Sequence, residues 1–315
     1  MGSFNPILAK YLGHLVMNPY TCTMTLRIAT PHEFSFDLTC SFLLRSPREL
    51  LHVVKNEKVF KALPVEGENI LFSIHANDQS LIVNFLNHAP TQKQKHFVEQ
   101  YISNWFDLST DLKPFYDKFH DDTLIGPLVK KYFGYRIVGQ PDLFESLVWA
   151  VIGQQINLAF AYTLKQRFVE TYGEVIDYHG QKYFLLPTHQ RVATLTPESL
   201  LALQFSRQKA SYTIGIAQAF TNGELSTELL RNVSMQAAKE KLMSIKGIGN
   251  WTANYALMKT FRYPEAFPLE DVGIHNAIKN LKGMKSKPTL DQVKRIFKKY
   301  KGWEAYATLY LWKSL

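Results

Sequence analysis

Residues 240–275 read EKLMSIKGIGNWTANYALMKTFRYPEAFPLEDVGIH, and this stretch predicts two helices joined by a tight turn. An apolar helical run ends at residues 245–246, the turn Gly247-Ile248-Gly249 follows, and a second helix-forming run covers residues 251–261. The two glycines let the backbone reverse and expose amides at the start of the second helix, while Ile248 is predicted to point back between the helices. Such amides can bind a phosphate, although Gly-x-Gly alone is more typical of an ordinary helix–helix turn.

The residues after the second helix make the pattern more specific. A loop over residues 263–268 carries two prolines, and Leu269-Glu270-Asp271 then opens another helix. The string Ile-Lys-Gly-Ile-Gly-Asn-Trp-Thr-Ala at residues 245–253, with this acidic pair about twenty residues on, resembles the helix-hairpin-helix DNA glycosylases. Within that superfamily it is similar to the bacterial 3-methyladenine-DNA glycosylase II branch, which repairs alkylated bases. The resemblance covers residues 111–315 well and the N-terminal part weakly.

The composition is that of a folded globular protein. The chain has 315 residues, of which 46% are apolar and 20% charged, which predicts two or three domains with a sizeable core. No uninterrupted apolar run is long enough to span a bilayer. The N-terminal run 6–17 is broken by Lys10 and His14 and lacks the features of a signal peptide, so we expect a cytoplasmic protein.

Cysteine and histidine usage offers no metal or thiol chemistry. Cys22 and Cys40, both in expected strands, are the only cysteines, and a reducing compartment makes a disulfide unexpected. The histidines are scattered without a His-x-x-x-His pair, and no Gly-x-Ser-x-Gly turn supports a nucleophilic serine. Some hairpin glycosylases carry a cysteine-ligated iron–sulfur cluster, and this sequence lacks the ligands for one.

The positive charge is concentrated at the C-terminal end. The net charge is +9, and in residues 271–315 ten lysines and arginines accompany three acids, which leaves an excess of seven. Taken alone, this segment would be a solvated face of surface lysines. Beside a phosphate-binding hairpin, it favours contact with the DNA backbone.

The N-terminal part alternates in the manner of β-strands. The pattern predicts four strands, at residues 24–28, 34–42, 70–74 and 81–85, with turn residues pairing the last two as a hairpin. A helix is expected around residues 47–54. A second helix is expected at residues 92–106, with one apolar face formed by Phe97, Tyr101, Ile102 and Trp105.

From about residue 111 the pattern is helical to the end of the chain. Helix boundaries are predicted at residues 127–134 and by caps or turn residues at Asp142, Gly153, Asn157, Thr196, Ser234 and Thr289. About ten helices with short connections predict an all-α bundle. The fold class is therefore α+β: an N-terminal antiparallel sheet domain with helices, residues 1–110, followed by a helical domain, residues 111–315. The resemblance implies two helical subdomains with a cleft between them.

Asp271 is the predicted catalytic residue. An aspartate at a helix start is commonly a simple N-cap, and Glu270 is the neighbouring competitor. The resembled family places an aspartate at such a helix start, facing the cleft, and alignment on the hairpin assigns that position to Asp271. A carboxylate there can stabilise the positive charge that builds on the sugar and can orient the attacking water. An alkylated purine is already cationic, so it leaves without a strong general acid.

Trp251 argues against strand cleavage. Family members that also cut the DNA backbone have a lysine at this position, which forms a Schiff base with the sugar. Lys246 and Lys259 do not match that position. Water is therefore the expected nucleophile, and the enzyme is expected to be monofunctional.

Three aromatic residues are candidates for the base pocket. By spacing alone Trp251, Tyr255 and Trp312 are more typical of core residues. The family has aromatics at these places, lining the slot for the flipped base, and an aromatic slot attracts a cationic base. Val272-Gly273 follows the aspartate where well-known relatives have bulkier residues, so the slot is expected to be wider here.

The loop over residues 153–157 joins two helices, and on its own it is a capped turn. Family members use this loop to fill the gap left by the flipped base, which assigns the wedge position to Gln155. A glutamine there can also hydrogen-bond the orphaned partner base.

The resemblance assigns DNA-phosphate binding to the hairpin residues Gly247, Ile248, Gly249 and Asn250. The backbone carbonyls of Met243, Ile245 and Gly247 match positions that, in the family, often hold one monovalent cation, Na⁺ or K⁺, beside a phosphate. No cofactor is required for the expected reaction.

The sequence therefore predicts a monomeric, monofunctional N-glycosylase that releases 3-methyladenine, 7-methylguanine and related bases from double-stranded DNA by base flipping. One alternative is a non-catalytic helix-hairpin-helix DNA-binding module, which has no need for Asp271. A second is a glycosylase for another lesion, such as an oxidised purine or mismatched uracil.

Overall fold

The computed structural model describes residues 24–315. The N-terminal run 6–17 and Cys22 lie outside the described residues. Over residues 24–315, no helix has both the length and the apolar character needed to cross a membrane. The buried apolar side chains form two large clusters, one against the sheet and one among the helices.

The N-terminal part contains a five-stranded antiparallel sheet. Its strands are Thr25–Ala29 (β1), Val53–Lys55 (β2), Lys58–Val65 (β3), Glu68–Asn77 (β4) and Ser80–Phe85 (β5). Their order across the sheet is β1-β5-β4-β3-β2. The predicted pairing of the last two strands is confirmed: Asp78 adopts a left-handed conformation (φ 50°), which lets β4 turn into β5 within two residues.

Two of the secondary-structure elements predicted in this part are wrong. Residues 34–42 were expected as a strand, but Phe36–Leu43 form a helix (α1), so Cys40 is helical. Its apolar residues also fit a helical face, and Ser35 caps the helix by accepting from the Leu38 amide. The helix expected at residues 47–54 does not form, because the Glu49 carboxylate accepts from the amides of the next two residues and holds a turn that leads into β2.

The helix predicted at residues 92–106 is confirmed as Gln92–Trp105 (α2), which begins with a capping box from Thr91. Three of the four residues predicted for its apolar face are buried against the sheet: Tyr101, Ile102 and Trp105. Phe97 is instead 44% exposed, and Val98 takes its place in the core.

The rest of the chain is mainly helical. The helices are Lys113–Phe119 (α3), Gly126–Lys131 (α4), Leu143–Gly153 (α5), Leu158–Tyr172 (α6), His189–Ala193 (α7), Pro197–Leu201 (α8), Arg207–Thr221 (α9), Thr227–Arg231 (α10), Met235–Met243 (α11), Asn250–Ala256 (α12), Val272–Leu281 (α13), Leu290–Phe297 (α14) and Glu304–Lys313 (α15). A π-helical turn, Leu257–Phe261, extends α12, and a 3₁₀ turn, Lys298–Tyr300, follows α14.

The prediction that this part is purely helical is wrong at one place. Val175–Tyr178 (β6) and Gln181–Phe184 (β7) form a two-stranded hairpin. His179 and Gly180 both have positive φ, the geometry that a two-residue hairpin turn requires. The predicted helix caps at Asp142, Asn157, Ser234 and Thr289 are confirmed, whereas Thr196 precedes α8 without a side-chain cap.

The sheet part and the helical part meet at the segment that follows α1. Lys165 on α6 donates to both carboxylate oxygens of Glu49, at 3.1 and 2.9 Å, and each side chain is only 7% exposed. Burial opposes ionisation of Glu49, but the charges of Lys165 and His52 and the hydrogen bonds to the carboxylate together outweigh it and lower the pKa of that carboxyl to about 2. This buried ion pair fixes the two parts against each other. The predicted domain boundary at residue 110 stays a prediction.

Candidate active site and DNA interface

The carboxylate of Asp271 is held from three sides. Its Oδ1 accepts from the Ile274 amide at 3.1 Å and from Trp312 Nε1 at 2.8 Å, and its Oδ2 accepts from Trp251 Nε1 at 2.9 Å. Asp271 is therefore the N-cap of α13 and, at the same time, the acceptor for two indoles. Because a carboxylate has about four acceptor positions, these bonds fix its orientation and leave one position on Oδ2 for a substrate or water.

Gly273 makes the approach of Trp312 to Asp271 sterically possible. A Cβ atom at residue 273 would lie 2.8 Å from Asp271 Oδ1 and 3.0 Å from Trp312 Cδ1. The space that a side chain at residue 273 would need is thus taken by the indole. The wider slot expected from Val272-Gly273 stays a prediction, and Val272 itself is 60% exposed.

The three predicted pocket aromatics lie together beside Asp271. Trp251 and Tyr255, one turn apart on α12, stack with ring centroids 5.3 Å apart at 21°, and Trp312 on α15 lies 6.5 Å from Tyr255. Tyr255 is buried, as a core residue would be, whereas both tryptophans are half-buried. The three rings form an aromatic surface that ends at the carboxylate.

Glu270, the competitor of Asp271, points elsewhere. It is exposed, and its two oxygens accept from Asn250 Nδ2 at 2.7 and 2.9 Å. Asn250 is the first residue of α12, so Glu270 places a negative charge beside the predicted phosphate position.

The hairpin itself is the turn between α11 and α12. Ile248 is buried between the helices, as its position predicts, and Gly247 has a left-handed backbone (φ 97°). A Cβ at residue 247 would lie 2.3 Å from the ring of Tyr212 on α9. Both the backbone angle and this ring therefore require glycine.

The predicted wedge loop lies against this hairpin. Gln155 is exposed, with a left-handed backbone (φ 57°). Next to it, Gln154 Nε2 donates to the Gly247 carbonyl and to Thr252 Oγ1, both at 3.1 Å. A groove of about 670 Å³ is lined by the predicted wedge loop, the start of α9 and the hairpin. A single side-chain amide thus connects the predicted wedge loop to the hairpin turn.

Lys209 on α9 holds the predicted wedge loop in place through hydrogen bonds. The sequence analysis did not predict this role for Lys209. Its Nζ donates to the Gln154 carbonyl at 2.7 Å and to the Ile152 carbonyl, at the C-terminal end of α5. Burial lowers the pKa of this lysine. The available signal was a lysine on the apolar face of α9, directly before the buried Ala210.

The three carbonyls predicted to bind a monovalent cation are only partly free. The Ile245 carbonyl accepts from the Ile248 amide at 3.1 Å, and the Gly247 carbonyl accepts from Gln154 Nε2. A carbonyl oxygen has two lone pairs, so each retains one for a cation. The site at Met243, Ile245 and Gly247 remains compatible with a cation and stays a prediction.

Two family models match the chain. A model for the HhH-GPD superfamily of base excision DNA repair proteins matches residues 148–302, and a model for the N-terminal domain of 8-oxoguanine DNA glycosylase matches residues 54–147. A DNA-3-methyladenine glycosylase of Bacillus subtilis (strain 168) is 41% identical over 291 residues, which cover 91% of this chain and 96% of the relative.

Solved structures share the fold. A 3-methyladenine DNA-glycosylase from Archaeoglobus fulgidus superposes with a TM-score of 0.80 at 22% identity, covering 91% of this chain and 97% of that chain. An 8-oxoguanine glycosylase/lyase of Clostridium acetobutylicum, in complex with double-stranded DNA, gives a TM-score of 0.70 at 18% identity, covering 89% and 91%. At these identities the two structures establish the architecture alone.

Proposed function

This chain belongs to the HhH-GPD superfamily of base excision DNA repair proteins, and we propose that within it the chain is a monofunctional N-glycosylase for alkylated purines in double-stranded DNA. The family makes it a DNA glycosylase. The proposal adds the lesion class, extrusion of the damaged base, and hydrolysis without strand cleavage.

The observation that carries the proposal is the carboxylate of Asp271, fixed by the indoles of Trp251 and Trp312. As the N-glycosidic bond breaks, positive charge develops on the sugar, and an oriented carboxylate stabilises that charge. The acceptor position left on Oδ2 can take a proton from the attacking water. A donor on each oxygen keeps the group from rotating away during the reaction.

The aromatic surface favours a cationic lesion. 3-Methyladenine and 7-methylguanine carry a positive charge in DNA, and the faces of Trp251, Tyr255 and Trp312 attract cations. Because the charge also weakens the glycosidic bond, one carboxylate suffices and a general acid is not needed. Normal, neutral bases gain less from the aromatic faces and leave more slowly.

Binding and extrusion are assigned to the hairpin and the wedge loop. The turn amides at residues 247–250 and the basic C-terminal segment contact the DNA backbone, and Gln155 enters the gap in the duplex. Trp251 occupies the position where a Schiff-base lysine would be required. Lys259 is not a substitute, because its Nζ is buried and donates to the Val138 carbonyl.

One assay tests the proposal. The wild-type protein and Asp271→Asn are incubated with methylated duplex DNA, and free bases and abasic sites are counted. We expect wild-type release of alkylated purines, loss of release in the variant, and intact strands until heat or alkali is applied. Equal release by both proteins would show that Asp271 is not the catalytic residue. Strand nicks without alkali would contradict the monofunctional assignment.

The same assay separates the alternatives. A non-catalytic hairpin module would bind the DNA and release no base. A glycosylase for oxidised purines or uracil would leave methylated DNA intact and act on the corresponding lesion duplex. The match of residues 54–147 to an 8-oxoguanine glycosylase domain makes that lesion the first one to include.

A further inference from the structure

His275 lies in α13 one helical turn after Asp271, and both of its ring nitrogens contact backbone carbonyls. Its Nε2 lies 3.0 Å from the carbonyl oxygen of Leu269, and its Nδ1 lies 3.0 Å from the carbonyl oxygen of Pro288. The histidine side chain is half-buried, and Pro288 is buried. This histidine takes no part in the proposed catalytic step.

The imidazole of His275 can hold at least one of these two carbonyls in every protonation state. The neutral ring carries one N–H, which donates to either Leu269 or Pro288, and the protonated ring carries two and donates to both at once. Because each carbonyl contacts a different ring nitrogen, the ring cannot rotate without losing a contact. His275 therefore links the loop that leads into α13 to the segment that leads into α14, whose N-cap is Thr289.

The contact with Leu269 fixes the chain just before the predicted catalytic residue. The chain reaches Asp271 through a loop without regular secondary structure. On one side of the loop, the Phe267 amide donates to Asn254 Oδ1 on α12 at 3.2 Å. On the other side, His275 of α13 contacts the Leu269 carbonyl, two residues before Asp271. The loop is thus held at two points by the two helices that it joins.

The position of this loop determines where the Asp271 carboxylate lies. Trp251 on α12 and Trp312 on α15 donate to its two oxygens, at 2.9 and 2.8 Å. Both indoles are fixed by their own helices, so both bonds form only where the backbone of Asp271 is correctly placed between them. A displacement of about 1 Å can slow an enzyme about 100-fold. The contact of His275 with Leu269 opposes such a displacement.

We propose that His275 is a positioning residue for Asp271, which holds the loop before α13 so that the carboxylate stays between the two indoles. Its ring bonds to backbone carbonyls, so its effect on the reaction passes through the backbone of Asp271. This inference rests on the proposed glycosylase function and adds a residue to the parts that the reaction needs. Removal of His275 should therefore matter only while the carboxylate is present.

A duplex with a pyrrolidine ring in place of one deoxyribose tests this placement. The protonated pyrrolidine nitrogen carries a charge like the one that the sugar develops in the transition state, so its binding reports how well Asp271 faces that charge. An undamaged duplex lacks this charge. In His275→Phe we expect affinity for the pyrrolidine duplex to fall about tenfold, and affinity for the undamaged duplex to stay within about twofold of wild type. Single-turnover release of alkylated bases should slow by about the same tenfold.

Two further variants separate positioning from folding. His275→Gln keeps a side-chain amide that can donate to one carbonyl, so it should lose less affinity for the pyrrolidine duplex than His275→Phe loses. His96→Phe changes an exposed histidine on α2 and is the matched control, which should bind both duplexes like wild type. Melting curves show which variants are folded. If His275→Phe is unfolded, His275→Gln takes its place in every comparison.

The double variant Asp271→Asn/His275→Phe shows whether the histidine acts through the carboxylate. Without that charge, a well-placed residue 271 no longer strengthens binding of the cation, so the double variant should bind the pyrrolidine duplex as weakly as Asp271→Asn alone. Additive losses, equal losses of affinity for the two duplexes, or wild-type base release by the folded single variant would each overturn the positioning role. Failure of the proposed function would show differently, because the wild-type protein itself would release no alkylated base from methylated DNA.

Discussion

Trp312 Nε1 donates to Asp271 Oδ1 over 2.8 Å, which ties the last helix, α15, to the N-cap residue of α13. In the proposed site the indole would therefore have two functions at once: its ring lines the slot for the base and its N–H orients the carboxylate. The family resemblance implies only the first of these functions, and the hydrogen bond could not be predicted because the two residues are 41 positions apart.

Replacing Trp312 by phenylalanine separates these two functions. Trp312→Phe keeps an aromatic face and removes one donor to a charged group, so we expect single-turnover base release to slow about 10- to 100-fold. DNA affinity should change little. Trp303→Phe, at the start of the same helix and packed on Phe115, is the matched control and should release bases at the wild-type rate. A rate equal to wild type in Trp312→Phe would mean that the hydrogen bond does not orient Asp271.

Gly273→Ala tests the close approach of these two residues. The added Cβ would lie within 3.0 Å of both Asp271 Oδ1 and the Trp312 ring, so one of them must move. We expect a lower melting temperature and a rate loss at least as large as that of Trp312→Phe. Gly215→Ala in α9 is the control, because nothing lies within 4 Å of its Cβ position and alanine favours a helix. Full activity of Gly273→Ala would show that Trp312 can move away from Asp271 without slowing base release.

Lys209→Met tests the anchor of the wedge loop. Methionine fills similar space but cannot donate to the Ile152 and Gln154 carbonyls, so Gln155 loses its support. We expect release from duplex DNA to slow about tenfold, while release from single-stranded DNA, which needs little unstacking, stays near wild type. Lys182→Met, on the exposed β6–β7 hairpin, controls for lost positive charge. If base release slowed equally on duplex and single-stranded DNA, Lys209 would act by stabilising the fold as a whole and not by supporting the wedge loop.

The sequence predicted the parts of the site that are local along the chain. The hairpin turn, the N-cap at Asp271 and the shared helix face of Trp251 and Tyr255 all follow from spacings within one or two turns of a helix. The capping residues of α5, α6, α11 and α14 were equally readable, because an N-cap acts on the amides directly after it.

What the sequence did not predict depends on distant partners. Phe36–Leu43 alternates well enough for a strand, and the packing of Phe42 against both clusters selects the helix. Lys209 lies on the apolar face of α9, but its partners, the carbonyls of Ile152 and Gln154, are more than fifty positions away and cannot be predicted locally. Arg45 donates to the hydroxyl of Tyr162, 117 positions away, so no local pattern predicts that contact.

The buried pair of Glu49 and Lys165 predicts a specific dependence of stability on pH. The pKa of Glu49 is lowered in the folded protein to about 2, from an ordinary value of 4.5, so its contribution is complete above pH 4.5 and is lost as the pH falls toward 2. Glu49→Gln leaves Lys165 with only Glu145 at 3.8 Å, which should cost about 3 kcal/mol at pH 7.

The measurement is the melting temperature of wild type and Glu49→Gln between pH 2 and pH 7. The gap between the two proteins should be constant above pH 4.5 and close steadily below it, because protonation removes from the wild type what the substitution removes from the variant. Asp117→Asn, which breaks an exposed ion pair with Lys113, should show almost no gap at any pH. A gap of unchanged size down to pH 2 would mean that Glu49 holds the two parts together through packing, and that its charge contributes nothing.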